Sequence, residues 1–216
     1  MMGSLTLSAC QTFVQDVDAV LRHDDVPKLS LEQQNAFLAF EESRFSQAVD
    51  LFDAAIQIES DQKLKSKLYN GLGSSLNALD RYQEAINAYQ KALDLNEENA
   101  QVWVNLGVSQ RLAGDYDNAL KSYEQALILN GDLATAHSSI GSLRVLQNKP
   151  DLAIAAFQNA ITLDANMAVS HGNLALAYAM VGSFEEAQSS LKRAVALGYD
   201  NGEVIQERIK ALQKLD

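Results

Sequence analysis

Residues 100–133 read AQVWVNLGVSQRLAGDYDNALKSYEQALILNGDL, and this stretch is one copy of a pattern that recurs along the chain. Alanines recur at spacings of 37, 34, 34 and 34 residues, and a second set of alanines follows seven residues behind the first. The first set is Ala48, Ala85, Ala119, Ala153 and Ala187, the second is Ala55, Ala92, Ala126, Ala160 and Ala194, and between them lie Phe52, Tyr89, Tyr123, Phe157 and Leu191. A small residue at one fixed place indicates helix backbones that approach closely, and the large residue beside it fills the remaining space. The sequence therefore predicts a repeat protein.

Each repeat also contains an earlier helix. With Trp103 as position 4, Leu106 and Gly107 occupy positions 7 and 8, and the same pair recurs as Leu72-Gly73, Ile140-Gly141 and Leu174-Ala175. Positions 4, 7, 8 and 11 form one stripe of an α-helix, so each unit is predicted to be two helices of roughly 14 residues joined by a turn. The turn signals are Gly114, Gly182 and Pro150, and capping boxes are predicted at Ser30 with Gln33 and at Ser183 with Glu186.

This combination of positions resembles the tetratricopeptide repeat. The residues that carry the resemblance are Trp103, Leu106, Gly107, Ala119, Tyr123 and Ala126. The matching units are 29–62, which is degenerate, then 66–99, 100–133, 134–167 and 168–201, with Lys63-Leu64-Lys65 inserted after the first. The resemblance implies an all-α fold, a right-handed α-solenoid of stacked antiparallel helix pairs over residues 29–201. The family's proline near the end of each unit is absent, which leaves the helix ends undetermined.

The two ends of the chain are predicted to be separate helices. Residues 1–28 include an apolar stripe at helical spacing, Leu7, Cys10, Val14, Val17 and Leu21, which could pack on the first repeat. Residues 202–216 carry Val204, Ile205, Ile209 and Leu212 at helical spacing, as expected of a helix that covers the last repeat.

Cys10 leaves the cellular compartment open. Leu7-Ser8-Ala9-Cys10 resembles a bacterial lipobox, which would make residues 1–9 the remnant of a signal peptide and would anchor the protein by lipid in the periplasm. No Lys or Arg precedes the motif, a departure that a start codon placed too far downstream would explain. The alternative is an ordinary cysteine on a helix face of a cytoplasmic protein.

Composition excludes several classes of partner. A net charge of −11 and a pI near 4.7 disfavour nucleic acid and anionic membrane, which attract basic surfaces. No apolar run reaches the roughly 18–20 residues of a membrane-spanning helix. The single cysteine excludes an internal disulfide.

Neither catalysis nor cofactor binding is predicted. His137 and His171 occupy position 4 of successive repeats, where packing side chains are expected, and no Cys or carboxylate cluster accompanies them as metal ligands. No phosphate-binding glycine loop or nucleophile elbow is present. An enzyme or a metal-binding protein is therefore only a remote alternative.

The remaining candidate site is the free face of the first helix of each unit. Stacking of the repeats would join positions 2, 5, 6, 9, 12 and 13 into a concave groove. The predicted peptide-binding residues are Asn70, Asn77, Val104, Asn105, Val108, Arg111, Ser142, Asn173 and Leu176. Amides that donate and accept would bind an extended backbone, while the aliphatic side chains would form shallow pockets. The sequence thus predicts a non-catalytic scaffold for a protein or peptide partner, or alternatively a lipid-anchored periplasmic protein that assists assembly of an envelope complex. It identifies no partner and leaves a homo-oligomer open.

Overall fold

A computed structural model describes residues 29–214, and within this range every regular element is an α-helix. The helices are α1 (Leu31–Glu41), α2 (Phe45–Ile58), α3 (Gln62–Ala78), α4 (Tyr82–Leu95), α5 (Ala100–Leu112), α6 (Tyr116–Leu129), α7 (Ala134–Leu146), α8 (Pro150–Leu163), α9 (Ala168–Met180), α10 (Phe184–Ala196) and α11 (Gly202–Gln213). The N-terminal helix, the signal remnant 1–9 and lipidation at Cys10 lie outside the described residues. None of the described helices is long and apolar enough to cross a membrane.

Consecutive helices pack on each other, which confirms the predicted all-α solenoid architecture of helix pairs. The chain divides into two compact units, residues 1–122 and 123–216, and α6 runs through the boundary. In unit 1, α1 packs on α2, α2 on α3, α3 on α4 and α4 on α5; in unit 2, α7 packs on α8, α8 on α9 and α9 on α10.

The phased alanines and the large residues between them are buried. All ten are 0% exposed, and Phe52, Tyr89, Tyr123 and Phe157 between them are also 0% exposed. In unit 1 the ring of Phe52 meets the edge of Phe37 at 5.1 Å between ring centroids. The predicted pairing of small and large residues is confirmed.

The turn inside each helix pair has a fixed geometry. One residue per turn has a positive φ, at Ser43, Asp80, Gly114, Asn148 and Gly182, and these residues recur with the same spacing as the alanines. Glycine adopts this left-handed conformation without a steric cost, and Asn and Asp tolerate it better than other residues. The chain therefore reverses at the same place in each repeat although its turn sequences differ.

Two of the three predicted helix starts are as expected, and the third is not. Ser30 and Gln33 form a complete capping box, and Pro150 occupies the first turn of α8, as predicted. The capping box at Ser183 is wrong, because the Ser183 side chain makes no capping hydrogen bond. Its ψ is 68°, like the 57° of Arg81 in an equivalent turn, whereas the capping Ser30 is extended with ψ 162°. The turn holds Ser183 in this backbone conformation, which is not the extended one that a capping side chain requires.

Helices α3 and α11 depart from the regular repeat. Residues 63–65 extend the start of α3, which has 17 residues where α5, α7 and α9 have 13. Helix α11 packs on α9 and α10 and buries Ile205 and Ile209, while Val204 is 52% exposed. This helix therefore covers apolar surface of the last repeat.

Candidate functional site

Most of the predicted groove residues of unit 1 lie on α3 and α5 and are buried. We call Asn70, Asn77, Val104, Asn105, Val108 and Arg111 the groove face of unit 1; each is 5% exposed or less. The structure therefore brings these six residues to neighbouring first helices, but it does not expose them as open ligands. Their role in binding a peptide stays a prediction.

The asparagines of this face are hydrogen-bonded within the protein. Nδ2 of Asn105 donates to Oδ1 of Asn70 at 3.0 Å, and Oδ1 of Asn105 accepts from Nε2 of Gln101 at 3.1 Å. Asn105 is 0% exposed, so neither end of its amide is available to an incoming peptide in this conformation. Asn105 thus connects α3 to α5 and fixes the distance between them.

A second polar pair joins the same two helices near their C-terminal ends. Oγ of Ser109 donates to Oδ1 of Asn77 at 3.1 Å, and both residues are buried. A buried amide oxygen without this donor would lose its hydration uncompensated, which costs about 1–3 kcal/mol. This hydrogen bond therefore stabilises the register between α3 and α5. It also occupies the side-chain amide oxygen of Asn77, which the sequence analysis predicted to bind a ligand.

Arg111 differs from its neighbours because its guanidinium is buried without full pairing. The residue is 5% exposed, and its Nε has no hydrogen-bond partner within residues 29–214. Its charge acts on Tyr82. The pKa of Tyr82 is raised to about 12, first by the hydrogen bond from the phenol to Asp80 and then by burial, and the positive charge of Arg111 opposes this shift. A buried cation with an unused donor is a place where an anionic group would be stabilised.

In unit 2 the predicted residues are less buried. Nδ2 of Asn173 lies 3.4 Å from Oγ of Ser142, a long hydrogen bond, and both residues are partly exposed, while Leu176 is 9% exposed. Beside them Oγ of Ser170 donates to Oγ of Ser138 at 2.8 Å in a fully buried contact. The groove-facing side of unit 2 thus repeats the pairing of polar residues between successive first helices.

The residues at position 4 share one structural role. Nε1 of Trp103 donates to the carbonyl of Glu97 at 2.9 Å, and Nε2 of His137 and of His171 lie 3.2 and 3.1 Å from the carbonyls of Gly131 and Ala165. In all three cases the acceptor is six residues earlier, in the turn before the helix. Because a carbonyl only accepts, both histidines carry their proton on Nε2.

The hydrogen bonds of His137 and His171 also bear on whether these residues could bind a metal ion. Nε2 of each histidine is engaged with a carbonyl, and residues 29–214 contain no group of three or more His, Cys, Asp or Glu side chains arranged to hold a metal ion. The histidines therefore replace the indole of Trp103 as donors to the preceding turn.

A cleft on unit 2 was not predicted. It encloses about 570 Å³ between α8, α9 and α10, and its lining includes Gln158, His171, Tyr178 and Arg193. Nε2 of Gln158 donates to the hydroxyl of Tyr178 at 2.9 Å and ties α8 to α9 across it. The sequence gives little signal for this cleft, since its polar residues are spread over three helices: Gln158 is on α8, His171 and Tyr178 are on α9, and Arg193 is on α10.

Comparison with known proteins agrees with the fold. The model of the tetratricopeptide repeat family matches residues 70–134 and 113–168. A peroxisomal targeting signal receptor of Candida albicans is 38% identical over 71 residues, which are 33% of this chain and 12% of the receptor. The chain thus spans a small part of that relative's length.

Solved structures resemble the chain over most of its length. A thermophilic TPR protein of Thermus thermophilus, TTC0263, superposes with a TM-score of 0.67 at 17% identity over 84% of this chain and 96% of that one. MamA superposes with a TM-score of 0.64 at 18% identity, over 82% of this chain and 99% of MamA. YrrB, described as a TPR protein with an unusual peptide-binding site, superposes with a TM-score of 0.59 at 20% identity, over 95% of this chain and 99% of YrrB. At 17% to 20% sequence identity, the similarity to these structures shows the fold alone. Together with the family match and the phased positions, it shows that the chain belongs to the tetratricopeptide repeat family.

Proposed function

We propose that the protein is a non-catalytic adaptor that binds a segment of another protein on the groove face of unit 1. The partner segment carries a carboxylate that pairs with Arg111, next to aliphatic side chains that pack on Val104 and Val108. The observation on which this proposal chiefly rests is the buried Arg111 guanidinium, whose Nε lacks a hydrogen-bond partner in the part of the chain that the structure describes.

The polar chemistry of the groove face favours an acidic ligand over a bare backbone. Asn70, Asn77 and Asn105 are paired with neighbouring side chains, so they contribute to the shape of the face more than to new hydrogen bonds. Arg111 retains a donor, and a guanidinium can bind both oxygens of a carboxylate in a planar geometry. Hydrogen bonds of this charged type contribute about 1.5–3 kcal/mol, which corresponds to roughly tenfold to 150-fold in affinity.

Val104 and Val108 are 3% and 5% exposed, so the apolar part of the groove face contributes the spacing of its side chains more than exposed area. Val104 and Val108 lie one helical turn apart on α5, and Arg111 follows three residues later, so the three side chains form one stripe. A ligand that places an aliphatic residue one turn from an acidic residue would match this spacing whether it binds as a helix or as an extended chain. The names of two similar proteins, a targeting signal receptor and a protein with a peptide-binding site, are consistent with this class of function.

The test is selection of peptides from a random displayed library by the full chain, followed by affinity measurements on the selected peptides. We expect Asp or Glu beside aliphatic residues in the selected set. Arg111→Met keeps much of the side-chain volume and removes the charge, and we expect it to weaken binding at least about tenfold. Lys121→Gln removes a cation from an exposed site on α6 and serves as the matched control, with little expected change.

Two results would overturn the proposal. One is a selected set without enrichment in acidic residues. The other is equal affinity of the selected peptides for the original protein and for Arg111→Met, with both proteins folded by circular dichroism. A larger loss in Lys121→Gln than in Arg111→Met would place the binding surface on the outer helices instead.

A further inference from the structure

The cleft of unit 2 is lined by one arginine and by hydroxyl groups, without a carboxylate. Arg193, in the last turn of α10, supplies the positive charge, and Tyr178 and Ser190 supply hydroxyl groups. The apolar part of the lining is formed by Ile161 and Leu174. Among the lining residues that the structure describes, none is Asp or Glu, although the chain has 28 acidic residues against 17 basic ones. The cleft is therefore positively charged in a protein that is otherwise acidic.

Unit 1 has a lysine, Lys91 of α4, at the repeat position of Arg193. At the repeat position of Gln158, unit 1 has an acid, Asp53 of α2. Burial raises the pKa of the Asp53 carboxyl, and the positive charge of Lys91 opposes that rise. Nζ of Lys91 also lies 5.5 Å from the centroid of the Tyr69 ring. The lysine of unit 1 thus has a carboxylate and an aromatic ring near it, whereas Gln158 brings no charge to the cleft of unit 2.

Arg193 has no such partner in its own unit. Within residues 29–214 its side chain makes neither a hydrogen bond nor an ion pair. Gln158, at the position of the acid, donates from Nε2 to the hydroxyl of Tyr178 at 2.9 Å. The Tyr178 oxygen accepts in this contact, so its own proton is left to donate. The cleft therefore offers a guanidinium and a phenol as donors to a ligand.

We propose that the cleft of unit 2 binds the carboxylate of a small ligand with an apolar body, and that Arg193 and Tyr178 donate to the carboxylate oxygens. The ligand supplies the negative charge that Asp53 supplies in unit 1. Its apolar body packs on Ile161 and Leu174. A planar guanidinium suits a carboxylate, and charged hydrogen bonds of this kind are the stronger ones.

The size of the cleft agrees with a ligand of this class. Sites for small molecules typically enclose about 300–1,000 Å³ and combine apolar surface with a few polar groups. The cleft encloses about 570 Å³ and has both kinds of lining. It shares no residue with the groove face of unit 1, so this proposal does not rest on the proposed function.

Two kinds of ligand carry this chemistry, a free organic acid and the C-terminal residue of a peptide. The probe for the first is hydrocinnamate, and the probe for the second is acetyl-Ala-Ala-Phe with a free carboxyl terminus. Each probe is compared with its own amide, which keeps the shape and lacks the charge. Binding to the full chain is measured by NMR titration of the backbone amide signals at fixed pH and salt. The carboxylate that binds more tightly identifies the source.

We expect the better carboxylate to bind about fivefold more tightly than its amide. The expected preference is modest because Arg193 is an exposed residue, and pairing with an exposed cation is partly offset by solvent. The preference should decrease at high salt, because dissolved ions screen exposed charges. The largest changes in the spectrum should fall on α9 and α10, around the lining residues.

Variants on the lining test the assignment of each donor. Arg193→Gln should abolish the preference for the carboxylate, whereas Lys192→Gln should leave it unchanged. Lys192 is the matched control, because it is the adjacent exposed cation of α10 and does not line the cleft. Tyr178→Phe should weaken carboxylate binding by removing a donor. Gln158→Glu places an acid at the position of Asp53, so it should compete with the ligand for Arg193.

Three results would overturn the proposal. The first is the absence of binding by either carboxylate in the millimolar range. The second is equal affinity of each carboxylate and its amide. The third is a loss of affinity in Arg193→Gln that is no larger than in Lys192→Gln, with both proteins folded by circular dichroism.

Arg111→Met separates this site from the site of the proposed function. We expect the probes to bind Arg111→Met as tightly as the original protein. Loss of probe binding in Arg111→Met but not in Arg193→Gln would assign the probes to the groove face of unit 1 and contradict the site in unit 2. Failure of the proposed function would instead appear only in the peptides selected from the library and their dependence on Arg111.

Discussion

The substitution Gly141→Ala tests whether the repeats depend on close helix approach. A Cβ added at Gly141 would lie 2.6 Å from Cε1, 2.7 Å from Cδ1 and 2.9 Å from Cζ of Phe157. Carbon atoms in contact prefer about 3.5–4.0 Å, so the ring would have to move by about 1 Å. Phe157 is 0% exposed and packs with Ala153, Leu174 and Ala177, which leaves little free space for that movement.

The expected magnitude is a difference between two opposing effects. Overpacking of a buried site costs typically about 1–3 kcal/mol, and replacing glycine by alanine inside a helix gains up to about 1 kcal/mol. We expect a net loss of about 1–2 kcal/mol in the free energy of unfolding, which lowers Tm by roughly 2–4 °C per kcal/mol in a chain of this size. Thermal and urea unfolding followed by circular dichroism at helical wavelengths measure it.

Gly131→Ala is the matched control, because the nearest atom to its added Cβ is the Leu127 carbonyl oxygen at 3.8 Å. We expect a change within about 0.5 kcal/mol there. A double-mutant cycle adds Phe157→Leu, which should cost less in the presence of Gly141→Ala than alone, since the smaller side chain relieves the clash. If Gly141→Ala instead stabilises the protein by the full helix-propensity gain and shows no coupling to Phe157→Leu, the close-packing argument is wrong.

Three further predictions concern the cap, the turn and the polar pairs. Ile209→Ala, in a side chain that is 0% exposed, should destabilise by about 2–5 kcal/mol in urea unfolding, whereas Val204→Ala at 52% exposure should change little. The Tyr82 phenol should titrate near pH 12 by ultraviolet absorbance; because folding raises its pKa, the stability from its hydrogen bond to Asp80 is present below about pH 10 and lost as pH rises toward 12. A titration identical in Tyr82→Phe would contradict this. Asn105→Ala should cost about 1–3 kcal/mol through an unpaired buried amide, and an unchanged Tm would show that the amide pair contributes nothing.

The repeat architecture could be predicted because its determinants are local and recur in phase. Ala119 and Tyr123 mark a buried contact in one repeat, and the same residue types recur 34 residues before and after them, so chance agreement is small. The turns were harder to read. Ser43 and Asp80 adopt the same left-handed backbone conformation as Gly114. A single sequence does not distinguish such a serine from any other polar loop residue.

Helix capping shows how the repeat overrides a local signal. The Ser183 motif has the residues of a capping box, but the preceding left-handed turn holds its backbone at ψ 68° instead of the extended value at Ser30. The same constraint applies to Arg44, Arg81 and Lys149 at the equivalent helix starts, where no side chain caps the helix. Local propensity therefore predicts the helix start correctly and its hydrogen bond wrongly.

The predicted groove residues of unit 1 lie on first helices, where their amides are paired within the protein, and their role in binding stays a prediction. A period of 34 residues brings similar positions of successive first helices next to each other, and polar residues there meet at offsets of 35 residues in Asn70 with Asn105 and 32 in Ser138 with Ser170. These contacts satisfy groups that would otherwise be costly to bury, and they resist sliding of one repeat along the next. Ligand specificity must then come from polar groups that are not paired within the protein. Arg111 is such a group in unit 1, because its Nε has no hydrogen-bond partner among the described residues.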